Sequence, residues 1–227
     1  MKPGSLVAAI VAHPDDEVLA CGATLARHAD AGDRVCVLIL ATGATSRSGF
    51  SAEETEQLEQ KAQKAGNILG IDTIDFGQFP DNKLDTIPLL EVTQRVEAFL
   101  SAFPATTVYT HHSGDLNIDH QICHRAVITA LRPKPGTNTT TILAGEVLSS
   151  TEWGSLMSKP FVPTEFVDIT STLERKIRAM KCYTKELRDW PHPRSEEGIR
   201  TLARLRGGQS GLGCAEAFAT LRRLQIS

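Results

Sequence analysis

Long apolar runs are missing from this sequence, and no stretch approaches the roughly 18–20 residues a bilayer-spanning helix needs. A basic excess is missing too. Lys and Arg number 24 against 27 Asp and Glu, a net charge of −3 with a pI near 6.2. Nothing therefore draws the chain globally to nucleic acid or to an anionic membrane. Cysteine is scarce: Cys21, Cys36, Cys123, Cys182 and Cys214 are odd in number, scattered and never in a CxxC pair. That pattern points away from a disulfide framework and a thiolate zinc knuckle, and the cytoplasm is the expected compartment. Cys21 shares a helical face with Val18, Gly22, Leu25 and Ala29, and Cys123 with Ala126, Val127 and Ala130, so both are read as packing residues. No Gly-x-Gly-x-x-Gly occurs, which counts against a dinucleotide site, and no internal repeat divides the chain. The opening MKPGSLVAAIVAHPDDE meets charges without a small-x-small cleavage site, so its apolar run reads as a buried strand.

What is present is enough apolar sequence, 41% of 227 residues, to bury one substantial core. Continuous apolar runs at 6–12, 35–41, 107–110 and around 141–148 suit strands covered on both faces. Helical patterns lie between them at 18–31, 52–69, 89–103 and 119–131, and a short strand is expected at 71–76. Ser51 followed by Glu54 has the form of a capping box opening the second helix. This alternation predicts an α/β fold, a Rossmann-like three-layer sandwich with a mostly parallel sheet. A single domain is expected over 1–227, with the core in 1–150 and a C-terminal extension, 151–227, contributing to the substrate site. Ligands collect at the carboxyl ends of such strands, which brings the loops 13–17, 42–47, 79–85 and 111–119 together.

The first of those loops is His13-Pro14-Asp15-Asp16-Glu17. Three adjacent carboxylates repel one another, and acidic decoration of a helix N-terminus would explain them without explaining the histidine. Successive residues point in different directions there. One aspartate can therefore share a centre with His13, and the other is left free to handle a proton. An imidazole and a carboxylate make two ligands of a catalytic zinc site, which needs a third and an open position. The densest histidine cluster, YTHHSGDLNIDHQICHRA at 109–126, offers His111, His112, His120 and His124 beside Asp115 and Asp119. His120 and His124 are spaced i, i+4 and both could reach one ion. His28 reads as the solvent-facing end of a helix.

AHPDDE followed by a glycine-containing helix, and later GDLNIDH, resemble the zinc-dependent de-N-acetylases related to N-acetylglucosaminyl-phosphatidylinositol deacetylase, the LmbE-like proteins. The resemblance extends through DNKLD (81–85), PHPRS (191–195) and AEAF (215–218). It implies zinc, held by His13, Asp16 and His120, and it implies Asp15 as general base; a mixed N/O site also admits other divalent metals such as iron. Asn117 departs from the family pattern, in which many members carry a histidine three residues before the ligand histidine. The expectation is that His111 or His112 takes over the acid and oxyanion role, oriented by Asp119. Substrate contacts are expected from Arg47, Asn82, Asn117, His192 and Arg194, with Arg194 able to clamp a carboxylate or phosphate.

The resulting expectation is a metal-dependent amide hydrolase that takes acetyl from a small N-acetylated amino sugar, with no nucleic-acid partner and no membrane span; a homo-oligomer is compatible with it. Its rivals are a metal-dependent phosphoesterase, which usually uses two ions, and a non-catalytic sugar- or nucleotide-binding module.

Overall fold

The computed structural model describes residues 4–43, 52–154 and 159–225. Arg47 and the Ser51 cap fall outside the described residues. Five parallel strands, β1 (Leu6–Val11), β2 (Arg34–Ala41), β3 (Thr73–Phe79), β4 (Thr107–His111) and β5 (Thr141–Gly145), form the body of the sheet. Two strands from the tail, β6 (Glu165–Asp168) and β7 (Ala215–Arg223), run antiparallel. The seven strands stand in the order β3-β2-β1-β4-β5-β7-β6.

The helices are α1 (Asp16–Asp30), α2 (Ala52–Leu69), α3 (Leu89–Ala102), α4 (Ile118–Ala130), the short α5 (Thr151–Gly154), α6 (Leu173–Met180) and α7 (Glu196–Ser210). Strand alternation explains why the runs look continuous. Val7, Ala9 and Val11 face one core with α1, α2, α6 and α7. Ala8, Ile10 and Ala12 face the other with α3 and α4. A strand covered on both sides has no polar face to show. The Rossmann-like three-layer arrangement is as the alternation predicts. Strand order reverses between β1 and β4, and the crevice over their carboxyl ends is where such sheets bind ligands.

Three expectations need correction. Strand β3 spans Thr73–Phe79 and runs on through Gly77, beyond the end expected at residue 76. A Cβ on Gly77 would stand 2.6 Å from the Leu40 carbonyl oxygen, so glycine is what lets the strand continue past the register shift beside it. Strand β5 ends early, at Gly145. His28 is buried, with Nδ1 2.7 Å from Asp33 Oδ2 and Nε2 3.0 Å from Tyr109 Oη.

The tail is fastened to α1 by a buried ion pair. Lys176 Nζ donates to Glu216 Oε1 at 2.6 Å and to the Leu19 carbonyl at 2.8 Å. Glu216 also accepts from the backbone N–H groups of Ala23 and Thr24, at 3.1 and 2.7 Å. Lys176→Met strands a carboxylate in the core and should cost about 3–5 kcal/mol in urea unfolding. Adding Glu216→Leu should recover much of that loss, since an apolar pair carries no uncompensated charge.

Candidate metal centre and active site

His13 leaves the end of β1, and Asp16 opens α1. Between them Asp15 adopts φ 110°, ψ −27°, a left-handed conformation that turns its side chain away from that of Asp16. Asp16 points inward. Its Oδ2 accepts the His13 N–H at 2.9 Å and lies 3.3 Å from His13 Nδ1, 3.2 Å from His120 Nε2 and 3.5 Å from His111 Nε2. Its Oδ1 is buried with no hydrogen-bond partner among the described residues.

Both histidines are backed by carboxylates on their other nitrogen. His13 Nε2 stands 3.0 Å from Asp119 Oδ2 and 3.3 Å from Asp81 Oδ1. His120 Nδ1 stands 3.1 Å from Asp115 Oδ1. The carboxylates are fixed in turn. Asp115 accepts from the Ser150 hydroxyl, from Thr151 Oγ1 at 2.6 Å and from the Asn117 N–H at 2.9 Å, while Asp119 Oδ1 accepts the Leu84 N–H at 2.9 Å.

These residues fit a divalent ion. The ligand atoms of His13, Asp16 and His120 lie within 4.8 Å of one another, as do those of His13, Asp81 and Asp119. The first set includes the orphaned Asp16 oxygen, and a carboxylate stands behind each of its imidazoles, an arrangement that fixes tautomer and raises ligand basicity. The electrostatics agree. Burial alone would lower His13 and His120, but Asp119 and Asp16 carry His13 up to about 10, and Asp16 and Asp115 carry His120 up to about 9. Burial would likewise raise Asp16, yet His120 and His111 hold it well below the usual carboxylate range. Asp115 is held down to about 2 against its burial by His120 and its hydroxyl donors. The cluster demands positive charge; protons meet that demand in the metal-free chain, and a cation can displace them.

Asp15 points to the other side. It is 3% exposed, burial pushes its carboxyl well above the ordinary range, and Arg194 Nη1 opposes that shift from 3.0 Å. A cavity of about 240 Å³ opens over it, lined by His13, Pro14, Asp81, Asn82, Asn117, Glu186 and Arg194 among others. The loops after β1, β2, β3 and β4 meet there, joined by the tail.

Several sequence-derived roles change once the side chains are placed. His111 Nε2 accepts the Ala12 N–H at 2.8 Å, and the ring stacks on His120 with centroids 3.9 Å apart. Burial, then the neighbouring His120, push it down to about 3, so it is neutral and its Nε2 has no proton to give. His112 Nε2 lies 2.9 Å from the Lys159 carbonyl, to which it donates. Asp119 braces His13 rather than His111 or His112. Asn117 caps α4, its Oδ1 accepting the Asp119 N–H at 2.8 Å while its Nδ2 donates to Asn82 Oδ1 at 3.2 Å. Arg194 is engaged by Asp15 and by the Leu148 carbonyl at 3.2 Å, so it is no free clamp for an anion. His192 Nδ1 accepts the Arg194 N–H at 3.1 Å and its ring meets Trp153 edge-on. His124 bonds the His111 carbonyl at 2.8 Å, outside the cluster.

Sequence reasoning missed Asp115 as the brace of His120, Glu186 in the cavity wall, and the Glu17–Tyr183 contact beside Asp15. Asp115 had a signal, a carboxylate in the same loop as the ligand. Glu186 and Tyr183 sit in a tail that showed none.

The PIG-L family, described as GlcNAc-PI de-N-acetylase, matches residues 8–131, more than half of the chain and both loops that carry the histidine–aspartate cluster. The chain belongs to the PIG-L family. It is 30% identical over 160 residues to the uncharacterized deacetylase YaiS of Escherichia coli K12, covering 68% of this chain and 80% of that one. The fold matches N,N'-diacetylchitobiose deacetylase from Pyrococcus horikoshii with a TM-score of 0.78 at 20% identity, over 97% of this chain and 85% of the other. It also matches GalB, the 4-carboxy-2-hydroxymuconate hydratase of Pseudomonas putida, with a TM-score of 0.75 at 18% identity, over 98% of both chains. These two likenesses speak to the fold. The PIG-L match ends before Glu186, Arg194 and Tyr183, which the tail brings to the site.

Proposed function

We propose that this PIG-L protein is a metal-dependent N-deacetylase acting on a small N-acetylated amino sugar. The observation that carries the reading is the division of labour in the first loop. Asp16 converges with His13 and His120, while its neighbour Asp15 is turned out to the cavity floor against Arg194. A divalent ion held by His13, Asp16 and His120, zinc in the first instance, would supply Lewis-acid polarisation of an amide carbonyl and acidification of water.

The chain's own groups do the rest. Asp15 takes the proton of the attacking water, since it is buried, borders the cavity and belongs to neither candidate ligand set. Arg194 favours its ionised form and fixes its direction. With His111 neutral and its Nε2 spent on Ala12, and His112 pinned to Lys159, the proton that the leaving amine needs returns from Asp15. Asn82, Asn117, Asp81 and Glu186 give the cavity a polar wall suited to sugar hydroxyls. A phosphoesterase fits less well, because it wants two ions about 3.5–4 Å apart and the two candidate ligand sets share His13.

The direct test is acetate release by the metal-loaded protein across N-acetylhexosamines, nucleotide sugars and glycosylated metabolites, with metal content measured per chain. GalB shares this fold and is a hydratase, so hydration of 4-carboxy-2-hydroxymuconate is the control reaction. Acetate release from an N-acetyl sugar with no hydration activity supports the proposal, and the reverse defeats it. The acid assignment has its own check. His112→Gln keeps a donor for the Lys159 carbonyl but cannot titrate, so the kcat–pH profile should keep both limbs. Loss of a limb would return the acid role to His112.

A further inference from the structure

We infer that Glu17 and Tyr183 form a positioning pair that holds Asp15 in its left-handed backbone conformation and so aims its carboxylate at the cavity. The inference rests on the deacetylase reading, because it concerns the group proposed there as the base.

Asp15 is a side-chain-bearing residue at φ 110°. Such a conformation costs about 1–3 kcal/mol and persists only where the surroundings over-determine it. The constraints are visible on both sides of the peptide. The Asp15 carbonyl starts α1 by accepting the N–H groups of Val18 and Leu19 at 3.0 and 2.9 Å. Its N–H donates to Glu17 Oε2 at 3.0 Å, and the Tyr183 hydroxyl donates to Glu17 Oε1 at 2.6 Å. Glu17 is 0% exposed and Tyr183 1%.

A purely structural reading of Glu17 is poor on energetic grounds. Among the described residues it has no cationic partner, and a carboxylate buried without one is expensive. An amide or an aliphatic residue would pack the same space at lower cost. What the carboxylate offers is two acceptor oxygens, one for each donor, in a short and strong geometry.

The turn that carries Tyr183 reaches Asp15 by two indirect routes, through Glu17 and through Arg194. Its backbone is closed by Glu186 and Leu187 N–H groups donating to the Tyr183 carbonyl at 2.9 and 3.1 Å. Tyr183 reaches the Asp15 main chain through Glu17. Glu186 stands 4.0 Å from Arg194 Nη1, the atom that bonds the Asp15 carboxylate. One turn of the tail thus governs both the backbone and the side chain of Asp15.

The test compares the metal-loaded wild type with Tyr183→Phe, Glu17→Gln and Glu17→Ala, reading kcat, KM, metal per chain and hydrogen exchange at the Asp15 amide. Tyr183→Phe deletes one oxygen from a buried ring and keeps its shape, so it remains informative should Glu17→Ala fail to fold. It should lower kcat about tenfold with KM and metal content unchanged, in line with the cost of small misplacements of reacting groups. Exchange at the Asp15 amide should quicken. Glu17→Ala should lose about 100-fold in kcat. Glu17→Gln should recover most of that, because its amide oxygen still accepts the Asp15 N–H. Wild-type kcat and exchange in Tyr183→Phe, a loss in KM or metal content instead of kcat, or a Glu17→Gln as poor as Glu17→Ala would overturn the inference. Failure of the wild type itself to release acetate would overturn the deacetylase reading, and the exchange measurement would still report on the positioning pair.

Discussion

Asp16→Ala, His13→Ala and His120→Ala should each lose tight binding of a single divalent ion, and His124→Ala should keep it. Each of the first three removes one of three converging ligand atoms, whereas His124 spends Nδ1 on a carbonyl away from the cluster. The braces give a graded series below them. Asp115→Asn leaves His120 in place but removes the negative charge facing its Nδ1, and losing such a partner typically weakens metal affinity about 10–100-fold. Affinity should also climb steeply with pH. With His13 at about 10 and His120 at about 9 in the metal-free chain, both hold a proton at neutrality and both must release it to bind. Each proton displaced adds about one decade of affinity per pH unit, so the slope should be near two decades until the pH approaches 9, and calorimetry in buffers of different ionisation enthalpy should count about two protons. The alternative set makes the opposite forecast. An ion seated on His13, Asp81 and Asp119 would be stripped by Asp81→Ala and spared by His120→Ala.

The reasons this much of the site could be read in the sequence are local. An apolar run ending in His13-Pro14-Asp15-Asp16-Glu17 places like charges where a strand end gives no cause for them, and histidines grouped after a second such run supply the complement. Both signals lie within a few residues of a strand end, where topology alone brings them together. Direction is what the sequence withheld. Whether Asp119 braces His13 or a strand-end histidine depends on how Asn117 caps α4 and how Leu84 docks on Asp119 Oδ1. The burial of His28 is hidden for a similar reason: Asp33 is close in sequence, but Tyr109, which covers its other nitrogen, is 81 positions away. The tail was opaque because its elements look like loops. RLRGGQSGLG carries α7 through to Ser210, and the chain then folds back over Gly207, where a Cβ would stand 2.7 Å from the Leu212 carbonyl oxygen, an approach that only glycine permits. The consequence for the site is direct, since that tail delivers Arg194, Glu186 and Tyr183.

Asp15→Asn should abolish turnover while leaving the metal in place. The substitution keeps the size of the side chain, an oxygen for Arg194 and a residue type that tolerates a positive φ, so the left-handed loop survives. What it removes is basicity, and general-base loss is worth about 10²–10⁴-fold in rate. Burial pushes the Asp15 carboxyl upward while Arg194 pulls it down, so its ionised fraction depends on that guanidinium. Arg194→Met should therefore move the acid limb of the kcat–pH profile to higher pH. The sign follows from charge: without the cation the ionised carboxylate is less stable, its pKa rises, and the base is protonated over a wider range. A metal-replete Asp15→Asn protein with near-normal turnover would place the base elsewhere. An acid limb that stays in place in Arg194→Met would mean that the limb belongs to another group, such as Glu17, which burial lifts to about 7.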